Sequence, residues 1–133
     1  MSLKIRGMAP LIQVFDMPAS LAFYRDKLGF EVVQTSGQGD HSGWAMLRLN
    51  DAVIMLNTMY EDQDRPAIPD PVRKNNHSDT ALYFGCPDVN AAYDYLLSKG
   101  IRVEKPYKTG YGYYAIDLTD PDGYYLCFQW PAE

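Results

Sequence analysis

The sequence predicts an α+β fold built from two βαβββ modules that are related by pseudo-two-fold symmetry. The first observation is an internal repeat, because the stretch that begins at Asp16 returns 72 positions later at Asp88. The second is that each copy has a helical pattern followed by short apolar runs with turn residues between them. Two copies are too few for a stacked repeat array, which needs about three or more units. We therefore expect two half-domains with a ligand site between them.

The first module begins with an apolar run over residues 8–15, which predicts a strand. Asp16 is a suitable N-cap for the helix that follows, and Pro18 lies in the first turn, where its missing N–H costs nothing. Apolar residues then recur at helical spacing up to Gly29, a residue type that commonly follows the last turn of a helix.

Three further strands complete the first module. They are predicted over residues 30–35, 43–49 and 52–58, because each run is apolar and is bounded by turn residues. The turns are the cluster over residues 36–40 and the pair at 50–51.

The second module repeats this order. A strand is predicted over residues 80–86 and a helix over 89–99, with Asp88 now in the N-cap position. Three strands follow, and we predict them over residues 101–104, 113–119 and 124–130.

The chain is expected to form one domain over residues 1–133, within the usual range of about 100–200 residues. Its modules span 8–59 and 80–130, and residues 60–79 join them. A stretch of that length without predicted structure is typical of a linker or of a lid over a site. The sequence leaves both interpretations open.

Composition limits the partners. The net charge is -5 and no basic stripe is present, so we expect no nucleic acid partner. No apolar run approaches the roughly 20 residues that span a membrane, and no apolar leader precedes residue 10. Cys86 and Cys127 lie in apolar runs and are expected to be buried, reduced thiols. These features predict a cytoplasmic protein.

Two motifs carry a family resemblance. Phe23-Tyr24 precedes Leu28-Gly29-Phe30 in the first module, and Asp120-Pro121-Asp122-Gly123-Tyr124 lies between the last two strands of the second. Over about residues 8–130 the chain resembles the vicinal oxygen chelate superfamily, which includes glyoxalase I, bleomycin-resistance proteins, fosfomycin-resistance proteins and extradiol dioxygenases. The resemblance implies curved mixed sheets that enclose a cleft, and a homodimer.

Enzymes of this family bind a divalent metal through one His or Glu from each of four strands. Counting from the motifs places these positions at Ala9, Met55, Ala81 and Cys127. None is an imidazole or a carboxylate, the ligands that such metals prefer. The resemblance is therefore closest to the metal-free bleomycin-resistance branch, and we expect no metal, no cofactor and no catalytic residue.

Strand alternation indicates which side chains face the cleft, because residues two apart share a side of a sheet. The phase that contains the four family positions mixes aromatic, sulfur-containing and hydrogen-bonding residues, whereas the other phase is almost wholly apolar. The mixed phase has the chemistry of a small-molecule pocket. The predicted ligand-binding residues are Gln13, Trp44, Met46, Arg48, Met55, Asn57, Tyr83, Tyr113, Asp117, Tyr125 and Gln129.

Two pairs of these residues occupy equivalent positions in the repeat. Trp44 and Tyr113 either flank a planar or cationic ligand or simply fill the cleft or a dimer contact. Arg48 and Asp117 either pair with each other or hold opposite charges of a ligand. The tyrosine-rich stretch over residues 107–114 is either a mobile flap or an ordinary hairpin.

The sequence thus favours metal-independent binding of an aromatic or amphipathic small molecule, such as an antibiotic, by sequestration. One alternative is a divergent lyase, isomerase or dioxygenase with its metal at other positions. A second is a dimerising domain without a small ligand. The metal alternative could draw on His41, Glu61, Asp62, Asp64 and His77.

Overall fold

The computed structural model describes residues 2–133, except for the side chain of Asp62. The chain divides into two compact units, one that ends at Ala67 and one that runs from Ile68 to Glu133. Each unit contains one four-stranded mixed sheet with helices, which confirms the predicted α+β class. No helix of residues 2–133 is long and apolar enough to cross a membrane.

The first unit follows the predicted order of strand, helix and three strands. Its elements are β1 (Leu11–Val14), α1 (Met17–Leu21), which continues as a π-helix (Ala22–Lys27), β2 (Glu31–Thr35), β3 (Trp44–Leu49) and β4 (Ala52–Thr58). The sheet order is β1-β4-β3-β2, with β1 parallel to β4 and the other neighbours antiparallel. The Asp16 side chain caps α1 by accepting a hydrogen bond from the Ala19 N–H at 3.5 Å.

The second unit has the same strand order, β5-β8-β7-β6. Its elements are α2 (Pro71–Asn76), β5 (Ala81–Gly85), α3 (Val89–Ser98), β6 (Tyr107–Lys108), β7 (Tyr113–Thr119) and β8 (Tyr125–Pro131). Strand β5 is parallel to β8, as β1 is to β4. The repeat read from the sequence therefore corresponds to two sheets of identical topology.

Burial follows the predicted alternation. Leu47 and Leu56 in the first unit and Ile116 and Leu126 in the second are all 0% exposed, and all belong to the apolar phase. Burying a side chain of this size contributes about 1.5–3 kcal/mol, so this phase forms the core of each unit. Tyr114 belongs to the same phase but is 45% exposed, and it pairs with Lys108 of the short edge strand β6.

The predicted strand over residues 101–104 is wrong. Ile101 is buried, but its N–H bonds to the Leu96 carbonyl and so closes α3. The strand next to β7 is instead β6, where Tyr107 pairs with Ala115. A strand needs a hydrogen-bonding neighbour, and an apolar pattern alone does not show where along the chain that neighbour lies.

The sequence predicted no regular structure over residues 60–79, but the stretch contains some. It contains α2 between 3₁₀ turns at Asp62–Asp64 and His77–Asp79. Asp70 caps α2 by accepting a hydrogen bond from the Val72 N–H at 3.0 Å, and Pro71 occupies its first position.

The cysteine prediction is half right. Cys127 on β8 is 1% exposed, as expected. Cys86 follows β5 and is only half-buried. Both thiols are free.

The Asp-Pro-Asp-Gly turn between β7 and β8 is held by buried hydrogen bonds. One carboxylate oxygen of Asp120 accepts from the N–H groups of Asp122 and Tyr124, each at 2.9 Å. Gly123 in this turn has φ of 90°, and a Cβ placed on it would lie 3.0 Å from the Lys74 carbonyl oxygen. Helix α2 therefore packs closely against the turn.

Alanine substitution of two glycines should separate the cost of a positive φ from the cost of the close contact with Lys74. Gly100 also has positive φ, 76°, but a Cβ there would meet nothing within 4 Å. We expect Gly100→Ala to lower the free energy of unfolding by about 1–2 kcal/mol through backbone strain alone. Gly123→Ala should cost more, because the Lys74 carbonyl must also move. Urea unfolding of both variants measures the difference, and equal losses would show that this contact relaxes freely.

Candidate ligand-binding site

The predicted site residues of the second unit lie on one side of its sheet. The strand register places Tyr83, Cys127 and Asp117 in one row across β5, β8 and β7. We call this side the Asp117 face. It is defined by Tyr83, Tyr107, Tyr111, Tyr113, Asp117, Tyr125, Cys127 and Gln129.

The Asp117 carboxylate is the polar centre of this face. Its Oδ2 accepts a hydrogen bond from the Tyr107 hydroxyl at 2.7 Å. Its Oδ1 is buried and accepts no hydrogen bond from residues 2–133. In residues 68–133, all of which the structure describes, no lysine or arginine forms an ion pair with it. A buried acceptor without a partner costs about 1–3 kcal/mol, so this oxygen has an unused capacity to bind a donor.

The neighbours of Asp117 hold their protons tightly. The hydrogen bond to Asp117, together with burial, raises the pKa of Tyr107 to about 12. Burial, and next the carboxylate, raise the pKa of Tyr125. The same two causes raise the pKa of the Cys127 thiol to about 12. These groups therefore remain neutral at physiological pH, and Cys127 is a thiol rather than a nucleophilic thiolate.

A second hydrogen bond joins the Tyr111 hydroxyl to Gln129. The hydroxyl donates to Gln129 Oε1 at 2.5 Å, and the Tyr111 and Tyr113 ring centroids are 5.2 Å apart. Tyr83 and Tyr125 form a similar tilted pair at 6.2 Å. The Asp117 face thus combines paired aromatic rings with a few polar groups.

The predicted site residues of the first unit also share one side of their sheet. Gln13, Asn57 and Trp44 lie in one row across β1, β4 and β3, and Asn57 Nδ2 donates to Gln13 Oε1 at 3.2 Å. Met46 and Met55 form the next row. We call this side the Trp44 face. It is defined by Gln13, Trp44, Met46, Arg48, Met55 and Asn57.

The repeat-equivalent residues occupy matching strand positions. Trp44 and Tyr113 are the first residues of β3 and β7. Arg48 and Asp117 follow at the same distance, and each has a partner in its own unit. Arg48 lies 3.9 Å from Glu31, whereas Asp117 accepts from a tyrosine.

The four family metal positions do not fit a metal. Ala9 and Ala81 have no donor atom, and Met55 offers only a thioether. Cys127 keeps its proton, since its pKa is raised to about 12. Among the described residues, no three or more His, Cys, Asp or Glu side chains are grouped to hold an ion.

The two histidines considered for a metal lie in different units. His77 stacks on Tyr124 with centroids 4.2 Å apart, and its Nδ1 donates to the Asp122 carbonyl at 2.7 Å. His41 lies in an exposed turn of the first unit. Glu61 and Asp64 are exposed residues at a 3₁₀ turn of the first unit. The side chain of Asp62 lies outside the described residues.

The sequence missed two members of the Asp117 face. For Tyr107 the sequence indicates only a flap or a hairpin. In the structure it pairs with Ala115, which lies two residues before Asp117 on β7 and on the same side of the sheet. Tyr111 reaches the face from a turn, so no strand alternation marks it.

An open depression of about 500 Å³ in the first unit was also missed, and none of the predicted residues lines it. Its walls are Leu21, Arg25, Glu31, Val32, Thr35, Gly39 and Asp40.

Comparison with protein families gives one match. The family described as the Glyoxalase/Bleomycin resistance protein/Dioxygenase superfamily matches residues 8–128. Among curated proteins, none matches the chain.

Several solved structures share the fold. A bleomycin-binding protein complexed with bleomycin is 22% identical with a TM-score of 0.72, and the alignment covers 95% of this chain and 98% of that one. A bleomycin resistance determinant encoded on the transposon Tn5 is 24% identical with a TM-score of 0.73, covering 96% and 98%. TnmS3, an antibiotic binding protein from Streptomyces sp. CB03234, is 20% identical with a TM-score of 0.66, covering 98% and 100%. At these identities the likeness shows the fold alone.

Removing the charge of Asp117 should release the Tyr107 proton. We expect Asp117→Asn to lower the pKa of Tyr107 from about 12 toward the unperturbed value, because a neutral amide holds the hydroxyl hydrogen less strongly. The raised pKa stabilises the fold below the unfolded-state pKa of about 10, and that contribution is lost as pH rises through about 12. NMR titration of the Tyr107 ring carbon measures the shift. Asp94→Asn, which removes an exposed carboxylate from α3, should leave the titration unchanged.

Proposed function

The chain belongs to the glyoxalase/bleomycin resistance protein/dioxygenase superfamily, and from that membership we propose that it binds a small, partly aromatic molecule without a metal and without changing its bonds. The observation that carries this proposal is the composition of the Asp117 face. Tyrosine rings supply apolar walls, and Asp117 and Gln129 supply a few fixed polar groups, as small-molecule sites usually do.

The Trp44 face supports the same function from the first unit. Trp44 offers a flat ring for stacking on a planar group, and Met46 and Met55 offer adaptable apolar contacts. The Gln13–Asn57 hydrogen bond at 3.2 Å holds two amides side by side, where they can orient a ligand. We propose that these residues contact the ligand.

Binding without catalysis agrees with the protonation of the Asp117 face. A general base works best when its pKa lies near the working pH, whereas Tyr107 and Cys127 both have a pKa near 12. The alanines at two family metal positions supply no donor for a Lewis acid. The residues of both faces can hold a molecule, and Tyr107 and Cys127 are not suited to exchange protons with it near neutral pH.

The names of the structurally similar proteins suggest the ligand class. They describe proteins that bind bleomycin or another antibiotic. We propose that this chain likewise acts by sequestering an antibiotic-like molecule. We further propose that it works as a homodimer in the cytoplasm, in line with the family and with its two free thiols.

The proposed function is tested by direct binding. Isothermal titration with metal-free bleomycin and a panel of neutral and cationic planar antibiotics should identify a ligand. Trp44→Ala should weaken its binding by about tenfold or more, because a stacking partner is lost. In a Trp130→Phe background Trp44 is the sole tryptophan, so its fluorescence should change on binding.

Trp130→Ala is the matched control. Trp130 is 44% exposed, lies in the second unit near the end of β8, and belongs to neither the Trp44 face nor the Asp117 face. Its removal should leave the affinity unchanged. If no panel member binds, or if both tryptophan variants lose binding equally, the proposed function is wrong.

A further inference from the structure

We propose that the Asp117 face recognises an organic cation, so that the ligand carries an alkylammonium or similar group that pairs with Asp117 among the tyrosine rings. This inference rests on the proposed function and specifies the chemical class of the molecule bound.

The first support is the unused capacity of the carboxylate. A carboxylate offers about four acceptor positions; the Tyr107 hydroxyl occupies one of them at Oδ2, while Oδ1 is buried and accepts no hydrogen bond from residues 2–133. Its other neighbours on the face are hydroxyl, thiol and amide groups, none of which carries a positive charge. Lys108 follows Tyr107 but pairs with Tyr114 on the opposite side of the sheet. The negative charge therefore has no counter-charge within residues 68–133.

The second support is the set of tyrosines on the Asp117 face. A cation is attracted to the face of an aromatic ring within about 6 Å of its centroid, and aromatic cages bind alkylammonium groups in this way. Tyr83 and Tyr125 form one aromatic pair on this face, with centroids 6.2 Å apart, and Tyr111 and Tyr113 form another, at 5.2 Å. An anionic ligand would be repelled by Asp117, and a neutral one would gain nothing from its charge.

Tyr107 explains how a ligand reaches the carboxylate. Its hydroxyl occupies Oδ2, and its side chain is 44% exposed. It belongs to β6, an edge strand of two residues that pairs only with β7. Such a strand has few hydrogen bonds to lose when it shifts. The Tyr107 hydroxyl thus occupies the position on Oδ2 that the cation takes. When the cation binds, it displaces this hydroxyl, and the Tyr107 ring stays in contact with it.

A pair of probes with the same shape isolates the charge. The cationic probe is para-(trimethylammonio)phenol, and the neutral probe is para-tert-butylphenol, in which carbon replaces the charged nitrogen. Binding is followed by NMR titration of the tyrosine ring signals. We expect the cation to bind roughly tenfold to a hundredfold more tightly than its neutral counterpart.

Three variants assign that preference to Asp117. Asp117→Asn keeps the volume and an acceptor for Tyr107, and should weaken the cation by roughly tenfold to a hundredfold while leaving the neutral probe unchanged. Asp94→Asn, a matched loss of charge on exposed α3, should change neither probe. Tyr107→Phe should bind the cation at least as tightly as the original chain, because it removes the competing hydroxyl but keeps the ring. Thermal melting checks that each variant is folded.

The results separate this inference from the proposed function. Equal binding of the two probes, or an undiminished preference in Asp117→Asn, would overturn the inference. Loss of cation binding in Tyr107→Phe would do the same, even if Asp117→Asn failed to fold. If neutral compounds bind with dependence on Trp44 but the charge has no effect, the proposed function stands and the inference fails. If neither the probes nor the antibiotic panel bind, both are wrong.

Discussion

A sheet with helices on one side has one dry face, and every second residue of its strands must fill that face. Leu47 and Leu56 do so in the first unit, and Ile116 and Leu126 do so in the second, all without measurable exposure. The intervening residues are freed from this requirement. They can therefore carry tryptophan, tyrosine, arginine and aspartate without cost to the core, and both candidate faces depend on this division.

The same division explains what the sequence could predict. The alternation of residue types located the Trp44 and Asp117 faces, and it also gave the bounds of β4 and β7. It did so because one phase of those strands is apolar and the other is mixed. It failed for β6, since two residues are too short to show a period, and residues 101–104 looked more strand-like than the true edge strand. Tyr107 was missed for this reason. The unpartnered oxygen of Asp117 is a matter of side-chain geometry, which no sequence pattern records.

The two units show how one topology can serve different chemistry. Arg48 and Asp117 occupy equivalent strand positions, but their surroundings differ. Arg48 lies 3.9 Å from an exposed glutamate, where water screens the pair and weakens it. Asp117 has one buried oxygen and lies beside tyrosines, where reduced contact with water strengthens a charge interaction. The polar centre of the second sheet is thus an electrostatic feature that the first sheet lacks at the corresponding position.

The shortness of β6 also bears on how such a chain diverges. The core of the second unit lies under β7 and β8, whereas Tyr107 and Tyr111 reach the Asp117 face from an edge strand and a turn. Substitutions or insertions over residues 105–112 therefore alter the face without disturbing buried packing. Selection can act on ligand preference and on stability through separate sets of residues. Relatives that share this core are expected to vary most in that segment.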